Sequence, residues 1–344
     1  MKTVYILFVI LGIFCNAQQK NIYKTATIVF YNVENFYDTT PSKIYDDASF
    51  TPNGERKYTS DIYTKKLNNI ATVFADITNS STENKVILQA IIGVAEIENA
   101  TVLNDITNHP KLRSANYSFV HYDSRDNRGI DVALIYQPSY FKVLQSKALQ
   151  IWLPEKSKFS RYTRDILWVE GWLDGELVDI YVNHWPSRYG GSKVSETARY
   201  VAAQKLKNHI DSILQLDLKR KIIVMGDFND NPTNKSIAKF LGATEKVGGM
   251  DLYNPFYMLY KKGVGTLAFQ DAWALFDQIM LSQNWMNKKQ DGFFYYKSGI
   301  YDHALLTENI GKYKGYPMRT WNGLQFRNGY SDHYPVYLTL LKAF

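Results

Sequence analysis

The chain has 344 residues, 45% of them hydrophobic, with 40 Lys and Arg against 33 Asp and Glu. That length and apolar content allow a full globular core and exclude a disordered or fibrous chain. The formal charge of +7 suits polyanionic partners, and the only cysteine, Cys15, excludes a disulfide framework.

The first segment, MKTVYILFVILGIFCNAQQK, reads as a secretory signal over residues 1–17. Lys2 opens it, residues 4–14 form an apolar run too short to span a bilayer, and Ala17 closes a cleavage site before Gln18. A lipidated Cys15 is the alternative, and the bulky Ile13-Phe14 pair fits it poorly. Residues 18–344 are then a single catalytic domain without cysteine. The expected destination is outside the cytoplasm, in the periplasm or beyond the cell, with a monomer as the default and no stable protein partner implied.

Next comes TATIVFYNV (25–33), a β-branched and aromatic strand. Residues 61–79 place Ile62, Leu67, Ile70, Phe74 and Ile77 on one helical stripe behind a cap-like Ser60-Asp61. VILQAIIGVAE (86–96) is a continuous apolar run, the pattern of a strand buried on both faces. A short helix near 99–108 and strands at YSFVHYD and DVALIY follow. Residues 167–185 predict a hairpin turning at Asp174-Gly175. An amphipathic helix over 195–215, with Val201, Leu206, Ile210 and Leu214 inward, leads into KIIVMGDFN. Later strands are expected at LFDQIML (275–281) and YPVYLTLL (334–341). Buried strands alternating with amphipathic helices predict a layered α/β domain with mixed sheets.

Several of these strands stop on polar residues. Asn32 and Glu34 end the first, Glu96 the second, Asn183 and His184 the hairpin strand, and Asp227 and Asn229 the KIIVMGDFN strand. Asp277 opens LFDQIML's core, and Asp332-His333 precedes the last strand. A single case is an ordinary turn. Recurrence of carboxylate, amide and imidazole at strand ends, where open sheets present functional groups, points to one shared site. Converging carboxylates must protonate or be neutralised. Oxygen donors without thiolate suit a hard cation, Mg²⁺ with Mn²⁺ or Ca²⁺ as alternatives.

The ordered set NVEN, EIEN, RGIDVALIY, NHWPSR, GDFND, FDQI and SDHYPV, spread over residues 27–342, resembles the endonuclease/exonuclease/phosphatase superfamily, in particular its deoxyribonuclease-like branch. The residue before Glu96 is Ala95, where that family often carries Gln. The resemblance implies an α/β fold, a four-layer α/β/β/α sandwich with two packed mixed β-sheets and a cleft at one edge. It implies an exported, metal-dependent phosphodiesterase, a nuclease hydrolysing DNA or RNA. The alternatives are a phosphatase or phospholipase-type hydrolase of phosphoinositide, sphingomyelin or small phosphoesters, and an inactive binding module.

By the same resemblance Glu96 is the principal metal ligand, with Asn32 and Asp332 completing the sphere. Asp227 positions or deprotonates the attacking water and Asn229 holds a phosphate oxygen. His333 contacts the scissile phosphate with Asp277 as its partner, and His184 is a candidate acid for the leaving oxygen, oriented by Asp131. Arg164, Arg188 and Arg128 are candidate substrate forks. Glu34 is expected in the loop or behind the site, and Asp302-His303, a second Asp-His pair, is expected outside it because no strand like YPVYLTLL follows.

Overall fold

The computed structural model describes residues 22–77, 88–154, 162–288 and 291–344. The signal segment, Cys15, the end of the 61–79 helix and the start of the 86–96 run lie outside the described residues. No helix of the described residues is long and apolar enough to cross a membrane.

The strands run β1 Tyr23–Phe36, β2 Ile91–Ile97, β3 Ser118–His121, β4 Asp131–Tyr136, β5 Phe141–Leu149, β6 Ile166–Leu173, β7 Glu176–His184 and β8 Lys221–Asp227. After two short pieces, β9 Ala243–Thr244 and β10 Leu252–Tyr253, come β11 Leu267–Phe269, β12 Ala272–Ala274, β13 Asp277–Leu281 and β14 Phe294–Ile300. The hairpin β15 Trp321–Asn322 and β16 Gln325–Phe326 precedes the last strand, β17 Val336–Ala343. Helices are α1 Ser60–Asp76, α2 Ala100–Thr107, α3 Ser192–Leu216 and α4 Phe256–Lys261.

Two mixed sheets result, one of six strands in the order β14-β17-β1-β2-β4-β3 and one of seven in the order β5-β6-β7-β8-β13-β10-β9. Alternation along β1 sends Ala26, Ile28 and Phe30 between the sheets, where they meet Val182, Ile223, Met225 and Ile279. The other face of β1, Val29 and Tyr31, packs under Ile70 and Phe74 of α1 and Val102 of α2. On the far side, Leu206 and Ile210 of α3 cover Tyr181, Ile222 and Val224. With both sheet faces covered, strands read as unbroken apolar runs. The expected four-layer α/β/β/α sandwich is therefore what the chain forms.

Local differences have local causes. Helix α1 starts at Ser60 behind Thr59, which makes no side-chain cap. Its buried face includes Lys66, a charge set between Ile62 and Ile70 on the apolar stripe. The Asp174-Gly175 turn forms as expected, both residues at positive φ (50° and 91°), the geometry whose twist matches a hairpin.

One edge of the sandwich collects the strand ends. Strands β1 and β2 run parallel, as do β7 and β8. Strand β13, antiparallel to β8, begins where β8 finishes, and β17, antiparallel to β1, begins opposite Phe30, near the end of β1.

Candidate active site

Register brings the polar strand ends together. Across the β7–β8 ladder His184 is opposite Asp227, and across β8–β13 Asp227 is opposite Asp277. Asn32 pairs with Ala95, one residue before Glu96. His333 lies in the approach to β17, held by Ser331, whose hydroxyl donates to Asn32 O (2.7 Å) and accepts from the His333 N–H (3.1 Å).

The side chains interlock. Asn32 Nδ2 donates to Asp227 Oδ2 at 3.0 Å, and the Asn229 N–H donates to Asp227 Oδ1 at 2.9 Å. His333 Nδ1 meets Asp277 Oδ2 at 2.7 Å, while Asp277 Oδ1 is buried without a hydrogen-bond partner among the described residues. His184 Nε2 stands 3.8 Å from Glu96 Oε1 and 3.7 Å from Asp227 Oδ2. Glu96 accepts the Asn35 N–H at 2.7 Å, and Asn229 donates its amide to Trp185 O at 3.0 Å. Glu34, Asn35, Glu96 and Asn229 all take positive φ (53°, 49°, 65° and 50°). Such left-handed backbone is costly for residues with a Cβ and clusters at functional sites.

Burial shapes the electrostatics. It raises the Asp227 pKa, which Asp277 raises further while His333 and two hydrogen bonds oppose. For His333 burial acts to lower the pKa, but the charge and hydrogen bond of Asp277, with Asp332 and Asp227, carry it well above the ordinary imidazole value. His184 goes the other way: burial, then Arg164, Arg128 and His333, hold its pKa well below the ordinary value.

Asp227, Asp277 and His333 place one donor atom each within 4.8 Å of one another. His333 Nδ1 is already engaged by Asp277, so that triple works as an acid–imidazole pair beside a carboxylate. Glu96, Asn32 and Asp332 offer oxygens and no thiolate, a donor set that fits a hard divalent cation. The partly exposed Asp332 faces the Arg319 guanidinium at 3.6 Å.

The remaining expected residues divide. Arg128, 43% exposed, is near enough to Glu96 and Asp126 for their charges to raise its pKa, although burial acts first to lower it. Arg164 is buried and spent on Asp126 Oδ2 (3.0 Å) and Trp185 O (2.7 Å). Arg188 is likewise occupied, by Asn229 O (2.8 Å) and Asp230 Oδ1 (3.0 Å). Both arginines hold the loops that carry the site with part of each fork, and Arg164 lines a small cleft together with Arg128. Asp131, expected to orient His184, is engaged elsewhere. It accepts the Ser124 N–H at 2.9 Å and faces His121 Nε2 at 3.3 Å, while His184 Nδ1 has no hydrogen-bond partner. His303 is exposed on a short turn, accepting the Leu305 N–H at 3.2 Å.

Sequence reasoning missed the supports. Lys66 is fully buried and donates to Glu34 O and Thr320 Oγ1, both at 2.7 Å. The Glu34 carboxylate accepts the Thr320 and Trp321 N–H groups at 2.6 and 3.1 Å. Asp230 is held at 2.7 Å by the buried Arg199, which interrupts the apolar face of α3. A charge inside an apolar stripe was the available signal in both helices.

The family model described as endonuclease/exonuclease/phosphatase family matches residues 27–342. The chain belongs to this family. No curated protein sequence matches the chain. Among solved structures, a Bacteroides thetaiotaomicron endonuclease/exonuclease/phosphatase family protein is similar at 15% identity and TM-score 0.54, covering 94% of this chain and 100% of that one. The B. thetaiotaomicron mannosyl-6-phosphatase Bt3783 matches at 16% identity and TM-score 0.54, covering 92% and 99%. D. rerio TDP2 complexed with a single-strand DNA product matches at 13% and TM-score 0.51, covering 92% and 98%. As a family member, the chain is a phosphoester hydrolase of the metal-dependent kind.

Proposed function

We propose that this chain is an exported phosphodiesterase that hydrolyses nucleic acid. The reading rests above all on the register-locked group of Asn32, Asp227, Asp277 and His333, with Glu96 and His184 against it. Asp227, anchored by two hydrogen bonds, orients the attacking water and accepts its proton. His333, fixed by Asp277, donates from its free ring nitrogen to the phosphoryl group as charge develops. In this reading the same imidazolium also gives the proton to the leaving oxygen, the part the sequence assigns to His184. His184 has acidic neighbours at 3.7–3.8 Å and a pKa held low, so it acts as a neutral contact. Arg128 supplies a forked donor for a nonbridging oxygen. A divalent cation held through Glu96, with Asn32 and Asp332 beside it, would polarise the phosphoryl oxygen when bound.

The fold itself hosts both a mannosyl-6-phosphatase and a DNA-product complex, so substrate class rests on this chain's own features. Its +7 charge favours a polyanion. The test is a purified-protein panel of plasmid DNA, RNA, a lipid phosphodiester and p-nitrophenyl phosphate, each with Mg²⁺ and with EDTA. Metal-dependent cleavage of DNA or RNA is expected. Hydrolysis of p-nitrophenyl phosphate alone would replace nuclease by phosphatase, and no turnover on any ester would leave only a binding role. Asp227→Ala and His333→Ala are expected to cut kcat by about 10²–10⁴-fold while the circular-dichroism spectrum stays unchanged.

A further inference from the structure

A cavity of about 510 Å³ opens beside Asp332. That lies inside the range of roughly 300–1,000 Å³ typical of sites for small organic groups. One wall is the hairpin β11–β12, whose two-residue tip Gln270-Asp271 takes positive φ at both positions. The other wall is the segment from Glu308 to Arg327. Tyr316 bridges them: its hydroxyl accepts the Asp271 N–H at 2.8 Å. Trp273 of the hairpin stacks on Tyr334, the residue after His333, with the two rings 10° apart in plane. The cavity is therefore tied to the catalytic lip at both Asp332 and Tyr334.

Its lining combines aromatic faces with three cations, Lys312, Arg319 and Arg327, and three acids, Asp271, Glu308 and Asp332. Phe269 projects from the hairpin at 72% exposure, and Tyr313 from the opposite segment at 41%. Arg319 and Arg327 enter as half-exposed forks, each 3.6–3.8 Å from its nearest acid, Asp332 or Glu308, and so outside hydrogen-bond distance of it. A lipid chain would find guanidinium groups where it needs hydrocarbon. A neutral sugar would meet the Gln270 and Asn322 amides and the Tyr313 and Tyr316 hydroxyls, but would leave both guanidinium forks without an anion to hold. A flat heterocycle on a charged backbone matches both halves of the lining: π-faces for the ring and forked donors for an anionic neighbour.

We propose that this cavity receives one nucleobase adjoining the scissile phosphate, with Arg319 and Arg327 holding the phosphate on the far side of that nucleoside. The inference rests on the nuclease reading and specifies where its substrate strand is gripped.

The test walks a single abasic residue along a short DNA strand and compares wild type with Phe269→Leu and Tyr313→Ala. A strand whose base beside the cut bond is already missing cannot use the pocket, so its cleavage rate and the protein's Tm serve as controls and are expected to match wild type in both variants. For wild type, removing the base beside the cleaved bond is expected to lower kcat/KM about tenfold or more, and less than about twofold in the variants. An equal rate at every abasic position, or a full penalty retained in both variants, would overturn the pocket and leave the nuclease reading intact. A protein that hydrolyses p-nitrophenyl phosphate but cuts no oligonucleotide would overturn the nuclease reading itself. In that case saturation-transfer NMR with dAMP and with glucose 6-phosphate, in EDTA, decides the cavity. Contact to the dAMP ring protons that disappears in both variants sustains a base site, and preference for the sugar phosphate removes it.

Discussion

Two arginines that look alike in the sequence have different work in the fold. Arg164 turns its fork to Asp126 and the Trp185 carbonyl, inside the protein, whereas Arg128, 43% exposed, faces the same Asp126 at 3.6 Å with Glu96 near enough to raise its pKa. Arg164→Ala removes the guanidinium from buried Asp126 Oδ2 and from the buried Trp185 carbonyl, so it is expected to lower stability by about 3 kcal/mol in urea unfolding. Arg128→Ala is expected to leave stability within about 0.5 kcal/mol and to lower kcat/KM instead. If the two variants exchange these signatures, the division between supporting and substrate-facing cation is wrong. Asp277→Asn provides a third residue-scale check. It keeps the shape of the His333 partner but removes its charge, so kcat should drop while folding is preserved.

At the scale of elements, two buried charges join secondary structures that apolar packing alone would leave loosely related. Lys66 pins α1 to the end of β1 and to Thr320, next to the segment that lines the cavity. Burial raises the Glu34 pKa and lowers that of Lys66, and each opposes the other's shift. Lys66→Met is expected to cost about 3–5 kcal/mol, because Glu34 is then buried without a counter-charge. Lys66→Met with Glu34→Gln should cost less than the sum of the single variants, and strict additivity would rule out the coupling.

Asp179 on β7 is the second case. Burial pushes its pKa from 3.8 up to about 6, against the opposing Trp168 hydrogen bond and Arg220 charge. The folded protein thus holds a proton that the unfolded chain releases. The stability this contributes is complete below about pH 3.8 and is lost as pH rises through about 6. The stability difference between wild type and Asp179→Asn should therefore shift in favour of the variant from pH 4 to pH 7, by up to about 3 kcal/mol at ~1.36 kcal/mol per pKa unit. A difference independent of pH would show that Asp179 is ionised throughout.

For the whole molecule, the charge of +7 and the packing of two sheets set the terms. If the substrate is a nucleic acid, log(kcat/KM) on DNA should fall linearly with log[salt], while p-nitrophenyl phosphate hydrolysis changes little. A flat DNA response would argue against phosphate contacts beyond the scissile one. The packing has a sharper test at Gly226. It lies opposite Asn183 in the β7–β8 ladder, and an added Cβ would collide with the Asn183 backbone carbonyl. Gly226→Ala is expected to lose both activity and stability, since it forces apart the two strands that deliver His184 and Asp227. Full activity in that variant would mean the site tolerates a shift of its strands.

The apolar runs, the Asp174-Gly175 turn and the amphipathic faces of α1 and α3 determined the layered architecture, because burial period and turn chemistry are local properties of a chain. The polar strand ends also marked the residues that meet, through motif order. The roles of Arg164, Arg188 and Asp131 were decided elsewhere. Whether a guanidinium is free depends on which backbone carbonyl comes within 3 Å of it, and those partners arrive from other segments, Trp185 for Arg164 and Asn229 for Arg188, while Asp131 is taken by the Ser124 N–H and faces the His121 ring. Only the folded arrangement sets that pairing, just as only it turned Lys66 from a surface charge into a buried tie between α1 and β1.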